Sequence, residues 1–252
     1  ASAHSVKLDA WDKTGLREML AQTYGMITHV DENVGRVLDA LRASGRYDDT
    51  VIVFLSDHGD YLGAHHLVCK GTHPFEEIMR VPYLWSSPET RRGRAKGTVD
   101  AGITSLLDLA PTVLDYAGIP MERLAPRPNP HAGPQLQSPW FDGGSLRSSV
   151  DGGAPVGERT LIAVKEENKT PGGGAFDQVI RVRCYYKGPW KLVIVSHPAG
   201  NHCLYHLDED PHELHNLWDN PDHRTTRDAL LLEYLEQATQ SEYAGLGRVS
   251  GP

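Results

Sequence analysis

The stretch Val51-Ile52-Val53-Phe54-Leu55-Ser56-Asp57-His58-Gly59-Asp60 decides how this chain is read. Its apolar half is an unbroken run of β-formers, the pattern of a strand buried on both faces. Ahead of it, Leu16, Leu20, Tyr24, Ile27, Val30, Val34, Val37, Leu38 and Leu41 recur at three- and four-residue spacing, and Gly45 follows as a stop. That spacing predicts a long amphipathic helix. Asp48-Asp49-Thr50 turns the helix into the strand. A helix, a short turn and a doubly buried strand form half of a parallel-sheet unit. The expected class is therefore α/β, with a mixed, largely parallel sheet flanked by helices.

Outward from this core, Val81-Pro82-Tyr83-Leu84-Trp85 reads as a second strand with a proline near its start, where one is tolerated. Thr104 is placed to cap a helix running through Leu106, Leu107, Leu109, Val113, Leu114 and Tyr116, kinked by Pro111 and ended by Gly118. Between Pro120 and Gly157, prolines 126, 128, 130, 134 and 139 alternate with Gly, Ser and Asn, and periodicity disappears. A loop of this length is functional or disordered. From Thr160, strands are expected at Leu161–Val164, Val179–Arg183 and Trp190–Val195, joined at Gly172-Gly173-Gly174 and Lys187-Gly188-Pro189. Cys203–Leu207 can add another, and Asp222–Gln240 closes the chain as a helix. The expected division is thus a large α/β domain over 1–119, a loop excursion over 120–158, and a small antiparallel sheet with one helix over 159–252.

The bulk properties narrow the function. With 252 residues, 39% of them hydrophobic, the chain can bury one large core, or one core and a smaller satellite. Its formal charge is −8 and no basic run interleaves with aromatics, so nucleic acid is not expected as a partner. An acidic chain that handles an anion must gather positive charge locally. Cys69, Cys184 and Cys203 are odd in number with no C-x-x-C spacing, which indicates neither a disulfide framework nor a zinc ribbon, although one pair can form. No run approaches the roughly 18 apolar residues of a membrane span. The opening Ala-Ser-Ala-His lacks the basic-then-apolar layout of a signal peptide, so no membrane partner is expected and the compartment is left open.

Ligands of open α/β sheets bind beyond the carboxyl ends of strands, which is where Asp57 and His58 stand. On a turn relaxed by Gly59 both side chains can aim at one point, and a carboxylate with an imidazole makes half a shell for a divalent cation. The plainer reading is a polar strand end in which Asp57 accepts a backbone N–H. Lys70 follows His58 after twelve residues, in Gly63-Ala64-His65-His66-Leu67-Val68-Cys69-Lys70-Gly71, and is followed by Phe75-Glu76-Glu77-Ile78-Met79-Arg80-Val81-Pro82. Glu76 and Glu77 suit the cap of a short helix or a pairing with Arg80.

The succession Ser-Asp-His-Gly-Asp, Gly-x-His, Lys, Phe-Glu-Glu and Arg-Val-Pro resembles the carboxy-terminal half of the sulfatase family in the alkaline-phosphatase superfamily. Three other stretches resemble the same family: Tyr24 to Leu41, Ser105 to Thr112, and Tyr205-His206-Leu207-Asp208-Glu209-Asp210-Pro211 with His212 to Leu217. The resemblance implies a hydrolase of sulfate esters that uses a formylglycine nucleophile and a divalent metal. Carried over by residue, Asp57 and His58 are metal ligands, Lys70 is the catalytic and sulfate-binding cation, and His65 is a substrate contact. The family usually holds calcium, while the imidazole of His58 equally suits manganese or zinc, and magnesium is a further candidate. The first domain is then the carboxy-terminal part of the large sulfatase domain.

The family's nucleophile motif, Cys- or Ser-x-Pro-x-Arg, is absent. Ser86-Ser87-Pro88-Glu89-Thr90 comes nearest, with Thr90 in place of the arginine. Also absent is the acidic pair at an early strand end that completes the metal shell. Formylglycine is accordingly expected in a missing amino-terminal half, and that half, or an oligomeric partner, is expected to cover the exposed sheet. Two alternatives stay open: a phosphodiester or phosphonate monoester hydrolase on the same scaffold, and an inactive truncated remnant. The excursion's Arg123, Arg127, Trp140 and Arg147 are candidates for meeting a sugar or aryl sulfate.

Overall fold

A computed structural model gives the architecture and describes residues 5–7, 13–71, 73–93, 97–120, 143–169, 175–196 and 201–244. The elements in chain order are β1 (Ser5–Lys7), α1 (Lys13–Ala43), β2 (Ile52–Leu55), β3 (Leu67–Cys69), α2 (Glu76–Met79), β4 (Tyr83–Ser86) and α3 (Pro88–Arg91). There follow α4 (Leu109–Tyr116), α5 (Arg147–Val150), β5 (Thr160–Lys169), β6 (Ala175–Lys187), β7 (Trp190–Val195), β8 (Cys203–His206) and α6 (Arg224–Ala244). They divide into two compact units: Ala1–Thr98 with 150–152 and 166–179, and Val99–Ser149 with 153–165 and 180–252.

In the first unit the predicted helix is present and overruns its expected ends. Gly45, at φ +70°, donates its N–H to Arg42 O and terminates it. No residue of α1 is buried: Tyr24 is 63% and Val37 67% exposed. The sheet is the α/β class expected, but β2 is not buried on both faces. It has a single partner among the described residues, β4, paired antiparallel from Ile52↔Ser86 to Leu55↔Tyr83. Phe54 and Leu84 face outward. A strand is sealed on both faces only when strands flank it and helices lie above and below, and among the described residues β2 has a strand on one side alone. β3 pairs antiparallel with β1. Arg91 fastens the unit by donating to Tyr47 O, Thr50 O and Ser86 O while its guanidinium lies over the Tyr47 ring.

The second unit carries its own core. Its first helix is capped one residue later than expected, by Ser105 rather than Thr104. The Ser105 hydroxyl accepts the Leu107 N–H, and the Asp108 carboxylate accepts the Ser105 N–H, a reciprocal capping box. Pro111 falls in the first turn of α4, where a proline is tolerated. Asp108, wholly buried, also receives the Gly144 N–H and the Arg159 guanidinium. Burial acts most strongly on its carboxyl and raises the pKa, yet Arg159 and the backbone donors together hold it below its ordinary value.

The excursion is anchored at its far end. Leu146 donates its N–H to the buried Thr112 hydroxyl, and Arg147 is held by Asp115 and lies over Tyr116. Arg123, Arg127 and Trp140 lie outside the described residues. So does the triple-glycine turn.

The four-stranded sheet runs β5-β6-β7-β8, with β6–β7 and β7–β8 antiparallel. Gly188, at φ +52°, makes the tight β6–β7 connection. Tyr185, Leu192, Leu204, Leu230 and Tyr234 form the core where α6 covers this sheet. A buried ion pair, Lys191 Nζ to Glu213 Oε1 at 2.7 Å, ties β7 to the turn that follows β8. The three cysteines are free, and Cys184 and Cys203 both sit opposite Val193 on neighbouring strands.

Candidate functional site

Strand β2 ends at Leu55, and Ser56-Asp57-His58-Gly59 turns away from it. Ser56 holds the turn by donating its hydroxyl to His58 O at 2.9 Å. Gly59 donates its N–H to Ile78 O at 2.9 Å. Glycine is required there, because a Cβ at position 59 would lie 1.8 Å from Glu77 O. The turn is thereby pressed directly onto the backbone of α2.

From this turn Asp57 projects into solvent, its side chain 85% exposed, and His58 is partly covered. Asp57 does accept a backbone N–H, from His58 at 3.0 Å, as the plainer reading held, but through only one of its oxygens. That hydrogen bond is the largest influence lowering its carboxyl pKa; the slight desolvation opposes it, and His58 and Lys70 nearby add to the lowering. Asp57 Oδ2 stands 3.5 Å from His58 Nε2.

The His58 ring is fixed from its other side. Nδ1 lies 2.8 Å from Gly59 O. A carbonyl can only accept, so Nδ1 carries the hydrogen and Nε2 presents its lone pair. That lone pair receives Lys70 Nζ at 3.1 Å. Lys70 arrives from the end of β3 across the twelve residues that separate it from His58.

The connection between them is strained. Leu62, His65, His66 and Cys69 all take left-handed φ values, between +46° and +60°. Tyr61 anchors the loop, almost fully buried, with its hydroxyl donating to His73 O at 2.6 Å and its N–H to Cys69 O at 3.1 Å. His65 does not stand open to a ligand. Its ring stacks on Phe75 with centroids 3.5 Å apart and planes 4° from parallel, and its Nε2 lies 3.7 Å from Glu77 Oε2. Glu77 therefore turns to His65, where capping or a pairing with Arg80 had been expected. Phe75 occupies the N-cap position of α2 without a side-chain bond.

The structure thus brings Asp57, His58 and Lys70 to one point and holds His65 behind it. Tyr61, Phe75 and Glu77 escaped the sequence reading as site residues. The only signal for them was the aromatic and acidic run flanking the lysine, which periodicity does not interpret.

The geometry bears on a metal. Two donors at right angles on a cation with bonds of about 2.4 Å sit about 3.4 Å apart, close to the Asp57–His58 separation. A lone pair on Nε2 with Nδ1 tied to a carbonyl is also the arrangement of a ligating histidine. Among the described residues no third His, Cys, Asp or Glu completes a cluster. The pair fits a divalent cation as part of a shell.

The sulfatase family model matches residues 2–119. A choline-sulfatase of Rhizobium meliloti is 34% identical over 198 residues, which are 79% of this chain and 33% of that protein. An arylsulfatase of Clostridium perfringens is 40% identical over 108 residues, 43% of this chain and 22% of that protein. Among solved structures, the phosphonate monoester hydrolase of Agrobacterium radiobacter superposes with a TM-score of 0.72 at 27% identity, over 92% of this chain and 43% of that one. The chain spans between about a fifth and a third of the length of these two curated relatives. The strand-end turn, the lysine loop and these likenesses together carry the conclusion that the chain belongs to the sulfatase family of the alkaline-phosphatase superfamily.

Proposed function

We propose that this chain contributes the metal pair Asp57 and His58 and the anion-binding Lys70 to the site of a sulfate-ester hydrolase. The nucleophile, a formylglycine, and the remaining metal ligands come from sequence outside this chain. The observation that carries the reading is the meeting of the Asp57 carboxylate, the His58 Nε2 lone pair and the Lys70 ammonium at the end of one strand. A divalent metal, with calcium the family's usual ion, would neutralise charge that develops on the sulfuryl oxygens.

The protein groups divide the work. Gly59 O holds Nδ1–H and so keeps Nε2 facing the site. The single lone pair of Nε2 can serve either Lys70 or a cation, so with a cation held there the Lys70 ammonium would be left to face a sulfate oxygen. His65, expected from the sequence as a substrate contact, lies behind this point with its ring on Phe75 and its Nε2 toward Glu77. The scaffold suits phosphoryl chemistry as well, and the likeness to a phosphonate monoester hydrolase favours testing phosphonate esters alongside sulfates.

The outward apolar residues of α1, with Phe54 and Leu84 on the β2–β4 ribbon, support a covering polypeptide that completes the sheet. Asp57→Ala should abolish metal retention in the assembled protein, read as bound calcium or manganese by elemental analysis; unchanged metal content would refute the assignment. Comparing 4-nitrophenyl sulfate with phosphate and phosphonate esters separates the two hydrolase readings, and inactivity on all three with metal bound supports the remnant.

A further inference from the structure

We infer that His65 and Glu77 form a positioning pair that fixes the Asp57–Gly59 turn, so that His65 acts through the protein instead of touching substrate. The inference rests on the metal reading of Asp57 and His58 and assigns roles behind it.

Three contacts carry it. Glu77 Oε2 is buried and has no hydrogen-bond donor among the described residues, while His65 Nε2 lies 3.7 Å away. A buried carboxylate oxygen without a donor is unfavourable unless a polar or charged group faces it. The His65 ring is in turn clamped flat against Phe75, the residue that opens α2. Finally, the backbone of the same Glu77 is what Gly59 abuts: its carbonyl fills the space of the missing Cβ, and the next residue, Ile78, accepts the Gly59 N–H.

Contacts therefore run in series from the His65 ring to the Glu77 carboxylate, through the α2 backbone to Gly59, and on to His58, whose Nδ1–H ends on Gly59 O. The left-handed backbone of His65 at φ +51° fits this role, since a residue held in a sparsely populated conformation must be fixed by its surroundings. The side chain is 12% exposed. A histidine so covered is spent on the protein.

The test uses hydrogen exchange at the Gly59 amide, a local report on the turn that needs no metal, together with Mn²⁺ titration. In His65→Ala and Glu77→Ala the Gly59 amide should exchange about tenfold faster while the amides of the β2–β4 ladder, in the same unit, keep their protection. Mn²⁺ affinity should fall about tenfold in both variants, as for loss of a group that orients a ligand. Glu77→Gln, which keeps an oxygen facing His65, should restore most of the protection and affinity. The double variant should be no worse than either single one.

Unchanged Gly59 protection in both alanine variants overturns the pair. If Glu77→Ala loses protection in the β2–β4 ladder as well, its unit has unfolded, and His65→Ala with Glu77→Gln decide the matter by the same readout. Asp57→Ala separates the two layers: it should remove Mn²⁺ binding and leave Gly59 protected. Retained Mn²⁺ binding in Asp57→Ala defeats the metal reading alone, and the Gly59 amide still judges the pair.

Discussion

The helix α1 and the sheet β5-β6-β7-β8 carry equally clear hydrophobic patterns and meet opposite fates. The sheet buries Leu192 and Leu204 completely beneath α6, whereas 31-residue α1 buries nothing. Amphipathic periodicity announces a face that needs cover. It does not say where the cover comes from. In the sheet, α6 and the turn after β8 supply it within the same stretch of chain; in α1 the stripe remains at the surface.

The contrast can be broken most sharply at the buried ion pair. Glu213→Ala leaves the Lys191 ammonium, which has no exposure, facing an empty place, and should destabilise the second unit by about 3–5 kcal/mol in denaturant unfolding. Lys191→Met combined with Glu213→Gln should recover most of that loss.

Next in size, Leu204→Ala should cost about 2–5 kcal/mol through the cavity it opens. Val30→Ala on α1 should stay within about 0.5 kcal/mol, as for an exposed site. A large effect at Val30 would mean that α1 is covered in solution, and would erase the distinction between the regions.

The smallest effect is a pH limb. Asp108 has its folded pKa depressed, so its contribution is fully present above the unfolded value near 3.8 and is lost as pH falls through the lower folded value. Arg159→Gln should move the acid unfolding midpoint upward. An unmoved midpoint would show that the backbone donors alone hold Asp108.

What the residues disclosed in advance follows the same division. Helices α1 and α6 and the strands β6 to β8 are local patterns of period 3.6 or 2 and were legible as such. That Asp57, His58 and Lys70 would meet was legible because a strand end, an adjacent pair and a fixed spacing are all visible along the chain. The antiparallel β2–β4 pairing was not, since strand direction depends on neighbours rather than on the apolar run itself. Nor was the choice of Ser105 over Thr104 as cap, which turns on Asp108 lying three residues beyond Ser105. The stacking of His65 on Phe75 goes with left-handed backbone at Leu62, His65, His66 and Cys69, non-glycine positions that composition does not betray; only Gly63 among the left-handed residues of that loop is a visible signal.

Gly59 finally bears on how such sites are compared across sequences. Its neighbours are Asp57 and His58, the proposed metal pair, and if related chains also kept a glycine there it would stand out beside them. The natural conclusion would be that it takes part in chemistry. What excludes every other amino acid is a carbonyl oxygen of α2, 1.8 Å from where a methyl group would have to be. Constancy at that position would record the packing of a helix against a turn, and would persist in a descendant that had lost its activity while keeping its shape.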